Sequence, residues 1–435
     1  MTNKQKKEGF IMRALDTVER VGNGMPDPVT LFIILVGVVI VASAICASMG
    51  VSVTYESIDT ASGELQNVTV SVVNLLSPDG IRHMVTTVVS NFTSFFPLGT
   101  VFTIMIGVGV ADGSGFMSAL LRKVVAVTPK TFVTAVVVFL GVMSNIASST
   151  GYVVLVPLGA VVFMAFGRHP IAGLAAAFAG VSGGWSANLL IGTNDPMFAG
   201  MSTQAAQMLD PNYNVLPVCN WYFMVASTFL VTIIGTIITD RLVEPRLTPY
   251  VPDETEQVQD IAKNEKRGMR WAGITALVYV VIMVILVAPT NGLLRDPETH
   301  GFLSSPFMSG IIFFMMLLFL LPGLAYGIGA GTIKNDKDMV ALMTKTITGL
   351  SGFLVLCFFA AQFTALFDYS KLGTIISVLG ANALESVGFK GLPLLIAFVI
   401  LTAVVDIFIS VDSAKWAIMA PIFVPMFMQL GLSPE

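Results

Sequence analysis

Charge is what this sequence has least of: Asp, Glu, Lys and Arg together make up 11% of its 435 residues, where a soluble globular chain carries about 25%. So few charges cannot clothe a water-facing surface, and the bulk of the chain is therefore solvated by lipid. Cysteine and histidine are nearly absent too. Cys46, Cys219, Cys357, His83, His169 and His300 stand singly, with no CxxC, HxxxH or HExxH spacing to hold a metal. They read as packing or loop residues. No histidine accompanies a nucleophile and no paired-aspartate motif occurs, which argues against an enzyme such as an intramembrane hydrolase. The net charge of −4 is spread over short loops without a basic stripe suited to phosphate contacts, so nucleic acid is set aside as a partner.

What is abundant is apolar sequence, with 55% hydrophobic residues and a mean hydropathy of +0.83. Runs near 29–50, 92–113, 219–240, 270–289, 306–331, 349–367 and 391–409 are each long enough, at about 17–25 residues, to cross a bilayer as helices. The first follows a polar, basic opening and lacks a small-residue cleavage site, so it is a span and not a signal peptide. Stretches at 131–166, 170–200 and 410–430 are apolar but interrupted by Gly, Ser, Asn and Pro. Broken backbone of this kind must face protein or a water-filled cavity, because its freed N–H and C=O groups go unsatisfied in hydrocarbon.

Lysine and arginine sort the loops. They cluster before residue 21, at Arg122 to Lys130, from Arg241 to Arg270 and at Lys334 to Lys345, whereas the loops 51–91 and 290–305 contain one Arg each. By the positive-inside rule the N-terminus is cytoplasmic. The expected organisation is a cytoplasmic segment 1–28, a first span and outer loop 29–91, and a first repeat 92–200 holding a hairpin and a broken helix. Connecting and scaffold spans 201–348 follow, with a cytoplasmic loop 244–269, and then a second repeat 349–435. Completing that second repeat calls for residues beyond Glu435.

The repeat is the most specific signal. Gly141 to Pro157 aligns without gaps on Val405 to Pro421 at a constant offset of 264. Ser149 then falls on Ser413, Tyr152 on Trp416, Pro157 on Pro421, Gly167 on Gly431 and Pro170 on Pro434. Upstream, Asp112-Gly-Ser114 matches Asp368-Tyr-Ser370, each followed by an amphipathic stretch and a hairpin. Counting crossings by the charge rule, the two units enter from opposite sides. The expected fold is an all-α polytopic membrane protein with about nine transmembrane helices in the full chain and two re-entrant hairpins arranged as inverted repeats, an architecture typical of secondary transporters.

The candidate site residues lie at these interruptions. The first hairpin tip carries Asn145, Ser148, Ser149 and Thr150, whose oxygens suit a hard cation such as sodium or whose helix amides suit a carboxylate; the alternative is hydrogen bonding between helices. The next break holds Asn188, Thr193 and Asp195. An intramembrane Asp is a proton relay or cation ligand by default, unless it sits at the outer interface. The second tip holds Ser410, Asp412, Ser413, Lys415 and Trp416. Asp412 and Lys415 would neutralise each other or act separately, and Trp416 offers a flat face to an aromatic substrate or serves as packing or an interfacial anchor.

Several ordered motifs resemble the AbgT family, the p-aminobenzoyl-glutamate transporters and their sulfonamide-efflux relatives. They are Glu19-Arg-Val-Gly-Asn23 with Pro26-Asp-Pro-Val-Thr-Leu-Phe32, Gly167-Arg-His-Pro-Ile-Ala-Gly173, Ser186-Ala-Asn-Leu-Leu190 with Gly192-Thr and Asp195, Asn220-Trp-Tyr-Phe223, and Ala420-Pro-Ile-Phe-Val-Pro-Met-Phe427. The resemblance implies a homodimer in the bacterial inner membrane, with a scaffold and a transport core, embedded in membrane lipid. It carries substrate-binding roles to Asp195, Trp416 and Pro434, alongside Asn188, Thr193 and Ser413. It implies no cofactor, no metal beyond a sodium ion at the hairpin tips, and a proton or sodium gradient as the driving force. Where some relatives have an acid beside the first-tip serines this chain has Ser149, and Asp412 stands where relatives can have Gly. The expected cargo is p-aminobenzoyl-glutamate or a related aromatic anion, with sulfonamide antimetabolites as an export alternative. Other carboxylates, a channel and a non-transporting scaffold are the competing readings.

Overall fold

The computed structural model describes residues 26–58, 65–126, 128–147, 150–247, 263–302, 305–386, 388, 391–408 and 411–435. Long apolar helices form where the hydropathy runs predict them. They are α1 (Pro28–Ser48), α3 (Phe96–Gly113), α9 (Trp221–Ile238), α10 (Lys263–Val287), α11 (Ile311–Ala330) and α13 (Ser351–Tyr369). Their ends follow local chemistry: Asp27 caps α1 by accepting from the Val29 N–H with Pro28 at the first position, an arrangement that satisfies an orphan donor and presets φ. A further helix, α2 (Pro78–Thr93), lies mostly within the stretch 51–91 expected as an outer loop and precedes α3 with only Ser94 and Phe95 between them.

Two compact units make up the described chain. One comprises 26–98, 200–215 and 352–435; it contains α1, α2, α13, α14 (Leu372–Ser386), α15 (Leu392–Phe408) and α16 (Asp412–Gln429). It also contains an element not anticipated from the sequence, an antiparallel hairpin of β1 (Ser52–Ile58) and β2 (Leu65–Ser71) pairing Ser52 with Ser71 and Ile58 with Leu65. β-Branched and alternating residues in Ser52-Val-Thr-Tyr and Asn67-Val-Thr-Val explain it, and the hydroxyls of Thr54 and Thr69 meet across the pair at 2.8 Å.

The other unit comprises 99–199 and 216–351. It holds α3, α4 (Phe116–Ala126), α5 (Val133–Met143), α6 (Thr150–Ala165), α7 (Pro170–Gly183), α9, α10, α11 and α12 (Asp336–Gly349). α8 (Asn194–Ala206) begins in this unit and runs on into the first. α5 and α6 are the arms of the first hairpin, and both pack on α7. Glycines set that packing. A Cβ on Gly180 would lie 2.4 Å from the Val138 carbonyl oxygen, and one on Gly173 would lie 2.2 Å from the Gly159 oxygen. Only backbone without side chains approaches so closely, which is how helices associate where no hydrophobic driving force separates protein from lipid.

The turns after α3 and α13 make matching hydrogen bonds. After α3, Ser114 N donates to Val110 O, Gly115 N to Asp112 O and Ala119 N to Gly115 O; after α13, Ser370 N donates to Leu366 O, Lys371 N to Asp368 O and Ile375 N to Lys371 O. The buried Ser114 and Ser370 hydroxyls accept from Phe116 N and Leu372 N, each at 3.4 Å. The turn residues Gly115 and Lys371 both have left-handed backbone, at φ 88° and 61°. A lysine tolerates this conformation only at some cost in energy. The hairpins end alike as well: Arg168 N donates to Phe163 O and Leu432 N to Phe427 O, with Gly167 and Gly431 at φ 72° and 79°.

Candidate functional site

At the first hairpin, α5 tightens into a single turn at Ser144–Ala147 before the tip. Asn145 is 7% exposed and acts as a clamp. Its Nδ2 donates to the carbonyls of Val142 at 3.1 Å, Val181 at 3.3 Å and Gly184 at 2.9 Å, tying the hairpin to the frayed C-terminus of α7, where helix carbonyls lack intrahelical donors. Gly151 is required opposite it, since a Cβ there would lie 2.0 Å from the Ser144 hydroxyl. Thr150 opens α6, while Ser148 and Ser149 lie outside the described residues.

Beyond α7 the chain leaves helix for ten residues before α8. Ser186 takes left-handed backbone at φ 62°, and the Trp221 indole N–H donates to Leu189 O at 3.0 Å, holding the segment from α9. Asn188 and Thr193 are 2% and 7% exposed. Asp195 falls in the first turn of α8, where the positive end of the helix favours a carboxylate. Its Oδ2 accepts from the Gly192 N–H. Gly192 also lies beside the tip of the first hairpin, since a Cβ on it would be 3.4 Å from Asp195 Oδ2 and 3.9 Å from the Asn145 carbonyl oxygen. The structure thus brings Asn145, Gly192 and Asp195 together. Two buried oxygens, Asn145 Oδ1 and Asn188 Oδ1, have no hydrogen-bond partner among the described residues.

In the other unit, Asp412 and Ser413 open α16, and Asp412 Oδ1 accepts from the Ser413 N–H at 2.7 Å. Ser413 is buried; Ser410 lies outside the described residues. Lys415 pairs with Asp406 of α15. Trp416 packs against a cluster of Ala205, Ala206, Ala420 and Val424, and its indole N–H donates to the Ser202 hydroxyl of α8 at 3.0 Å. Its repeat counterpart behaves similarly, as the Tyr152 hydroxyl meets the Ser182 hydroxyl at 3.0 Å. Pro434 follows the Gly431 turn and is half-buried. Ser202 as a partner of Trp416 has no local signal in the sequence, whereas Gly192 stands in the Gly-Thr that precedes Asp195.

The hydrophobic spans and the interrupted hairpins define a multi-pass membrane transporter. A family model described as "AbgT putative transporter family" matches residues 13–435, and the chain belongs to that family, whose members are transporters and not enzymes. It is 40% identical over 417 residues to the p-aminobenzoyl-glutamate transport protein of Escherichia coli (strain K12), covering 96% of this chain and 80% of that protein. Among solved structures it resembles MtrF of Neisseria gonorrhoeae, described within a class of antimetabolite efflux pumps, with TM-score 0.90 and 45% identity over 97% of this chain and 84% of that one. It also resembles the YdaH transporter of Alcanivorax borkumensis, with TM-score 0.86 and 40% identity over 94% of this chain and 84% of that one.

Proposed function

We propose that this protein is a secondary active transporter of p-aminobenzoyl-glutamate or related aromatic anions, working by alternating access and driven by a sodium or proton gradient. The observation that carries the reading is the pair of buried, unpartnered amide oxygens, Asn145 Oδ1 and Asn188 Oδ1, at interruptions of membrane helices. A buried acceptor left unmade costs about 1–3 kcal/mol, and such a cost is kept where a ligand supplies the missing partner. Hard oxygen donors and unwound carbonyls suit sodium, and the Asn145 carbonyl beside Gly192 adds one more. Ser148, Ser149, Thr150, Ser410 and Asp412 are the further ion-coupling candidates. Asp195, Asn188, Thr193, Ser413, Trp416 and Pro434 are the substrate-binding candidates.

The proposal includes two inverted repeats, a homodimer in a bacterial inner membrane and a cytoplasmic N-terminus. The duplicated turns after α3 and α13 support the repeat, and the lysine- and arginine-rich loops support the orientation. Likeness to MtrF favours export of antimetabolites as a second reading, with sulfonamides as the class to test. The test is uptake of labelled p-aminobenzoyl-glutamate into liposomes carrying the full-length protein, with a sodium gradient, a proton gradient or neither. Accumulation that follows one gradient is expected; no gradient-dependent movement of either p-aminobenzoyl-glutamate or a sulfonamide refutes the proposal.

A further inference from the structure

The C-terminal half of α10 and the N-terminal half of α11 line an open groove of about 550 Å³, within the ~300–1,000 Å³ of ligand-holding pockets. Tyr279, Met283 and Val287 lie on one side, Phe314 and Met315 on another, and Leu190 and Ile191 also line it. Among the described residues, the only polar side chains on the lining are Tyr279 and Arg295. The Tyr279 hydroxyl is already satisfied, donating to Phe314 O at 2.7 Å.

Arg295 sits past the C-terminus of α10, where a cation complements the helix dipole. Its Nε donates to Val287 O at 2.8 Å, Nη2 to Ala288 O at 3.4 Å and Nη1 to His300 O at 3.1 Å. These bonds engage three of the five N–H donors of a guanidinium. The planar fork is thereby fixed at the rim, at the opposite end of α10 from Lys266, Arg267 and Arg270.

We propose that this groove binds one acyl chain of an anionic phospholipid, with the headgroup phosphate on Arg295. Water is a poor occupant because the walls offer it almost no hydrogen bonds, and a buried water needs two to four. A multiply charged aromatic anion is also poor, since its carboxylates would be desolvated among methyl and phenyl groups with a single cation in reach. An acyl chain loses nothing on leaving the surrounding lipid for an apolar groove. Its selectivity therefore comes from Arg295, which pairs with the phosphate of an anionic headgroup, whereas in a zwitterionic lipid the positive choline beside that phosphate opposes a guanidinium.

The lipid has a reason to matter to the transport elements. Leu190 and Ile191 belong to the unwound segment before Asp195, and the next residue, Gly192, is the one whose N–H holds the Asp195 carboxylate. A chain lodged against Leu190 and Ile191 braces that segment.

The test is photocrosslinking of the full-length protein in vesicles doped with phosphatidylglycerol carrying a diazirine in its tail, with mapping of the adducts by mass spectrometry. Phosphatidylcholine with the same tail serves as the comparison. Adducts should concentrate on peptides spanning 279–288 and 307–318, several-fold above the exposed face of α9 at Phe229 and Ile233. Arg295→Gln should erase the difference between the two lipids, and Met283→Trp should remove the adducts by filling the groove. An even spread of adducts over exposed spans overturns the proposal, as does equal labelling by both lipids in the wild type. Displacement of the adducts by p-aminobenzoyl-glutamate, or shielding of these peptides by a second copy of the chain, overturns it in favour of that occupant. The wild-type map decides the matter even if Met283→Trp does not fold.

Discussion

Replacing Asn188 by Leu separates a structural role from a functional one, because the two predict opposite signs. Asn188 is 2% exposed and its Oδ1 has no partner among the described residues. If the oxygen exists to meet a ligand, the ligand-free protein bears its desolvation for nothing, about 1–3 kcal/mol. A leucine of similar volume removes that cost and adds at most about 1.5 kcal/mol of packing mismatch. Asn188→Leu should therefore unfold at the same or a higher temperature than wild type when measured in detergent with choline in place of sodium and no substrate. With sodium or p-aminobenzoyl-glutamate at about 100 times its dissociation constant, wild type should gain roughly 2.7 kcal/mol, and the variant should gain nothing. The assay is thermal unfolding followed by tryptophan fluorescence, with transport measured in parallel. A variant that is clearly less stable without ligand, and that retains the full ligand-dependent shift, refutes the reasoning.

Asp195→Ala should abolish transport in the liposome assay while the protein still inserts in the membrane; wild-type rates would remove Asp195 from the site. Trp416→Phe keeps the packing against Ala205 and Ala420 but loses the hydrogen bond to Ser202, a loss of about 0.5–1.5 kcal/mol. It should retain part of the transport that Trp416→Ala loses, and equal rates in the two variants would count against an aromatic surface at this position. Gly180→Ala drives a methyl into the Val138 carbonyl and should cost about 1–3 kcal/mol by overpacking, visible as a lowered unfolding temperature. Arg168 links Glu244, Asp240 and the Thr134 hydroxyl at the base of the first hairpin. Burial works against its charge, yet the two carboxylates hold the guanidinium above its usual range. Arg168→Ala leaves both acids without that partner and should cost about 1–3 kcal/mol, less than a fully buried network because the acids are partly exposed; no change in unfolding temperature would assign the cluster no stabilising role.

The membrane class, the positions of the spans and the likeness of two turns were legible in the sequence because each rests on a local quantity. A bilayer of fixed thickness demands about 20 apolar residues per crossing, so α1, α9, α11 and α13 lie where hydropathy alone put them. A duplicated turn needs the same residues at the same spacing, so Asp112-Gly-Ser114 and Asp368-Tyr-Ser370 announced the matching bonds at Ser114 and Ser370. The pairing of β1 with β2 is not legible in the sequence because its alternation is short and lies in a polar stretch. What tertiary structure alone decided is partnership. The clamp of Asn145 on Val181 and Gly184, the bond from Trp416 to Ser202 across 214 residues of sequence, and the pairing of Lys415 with Asp406 depend on which helices pass side by side. Apolar length and period fix that a helix exists and which residues share its face, whereas the hydrogen bond a buried amide finds is fixed only when distant backbone arrives within about 3 Å of it.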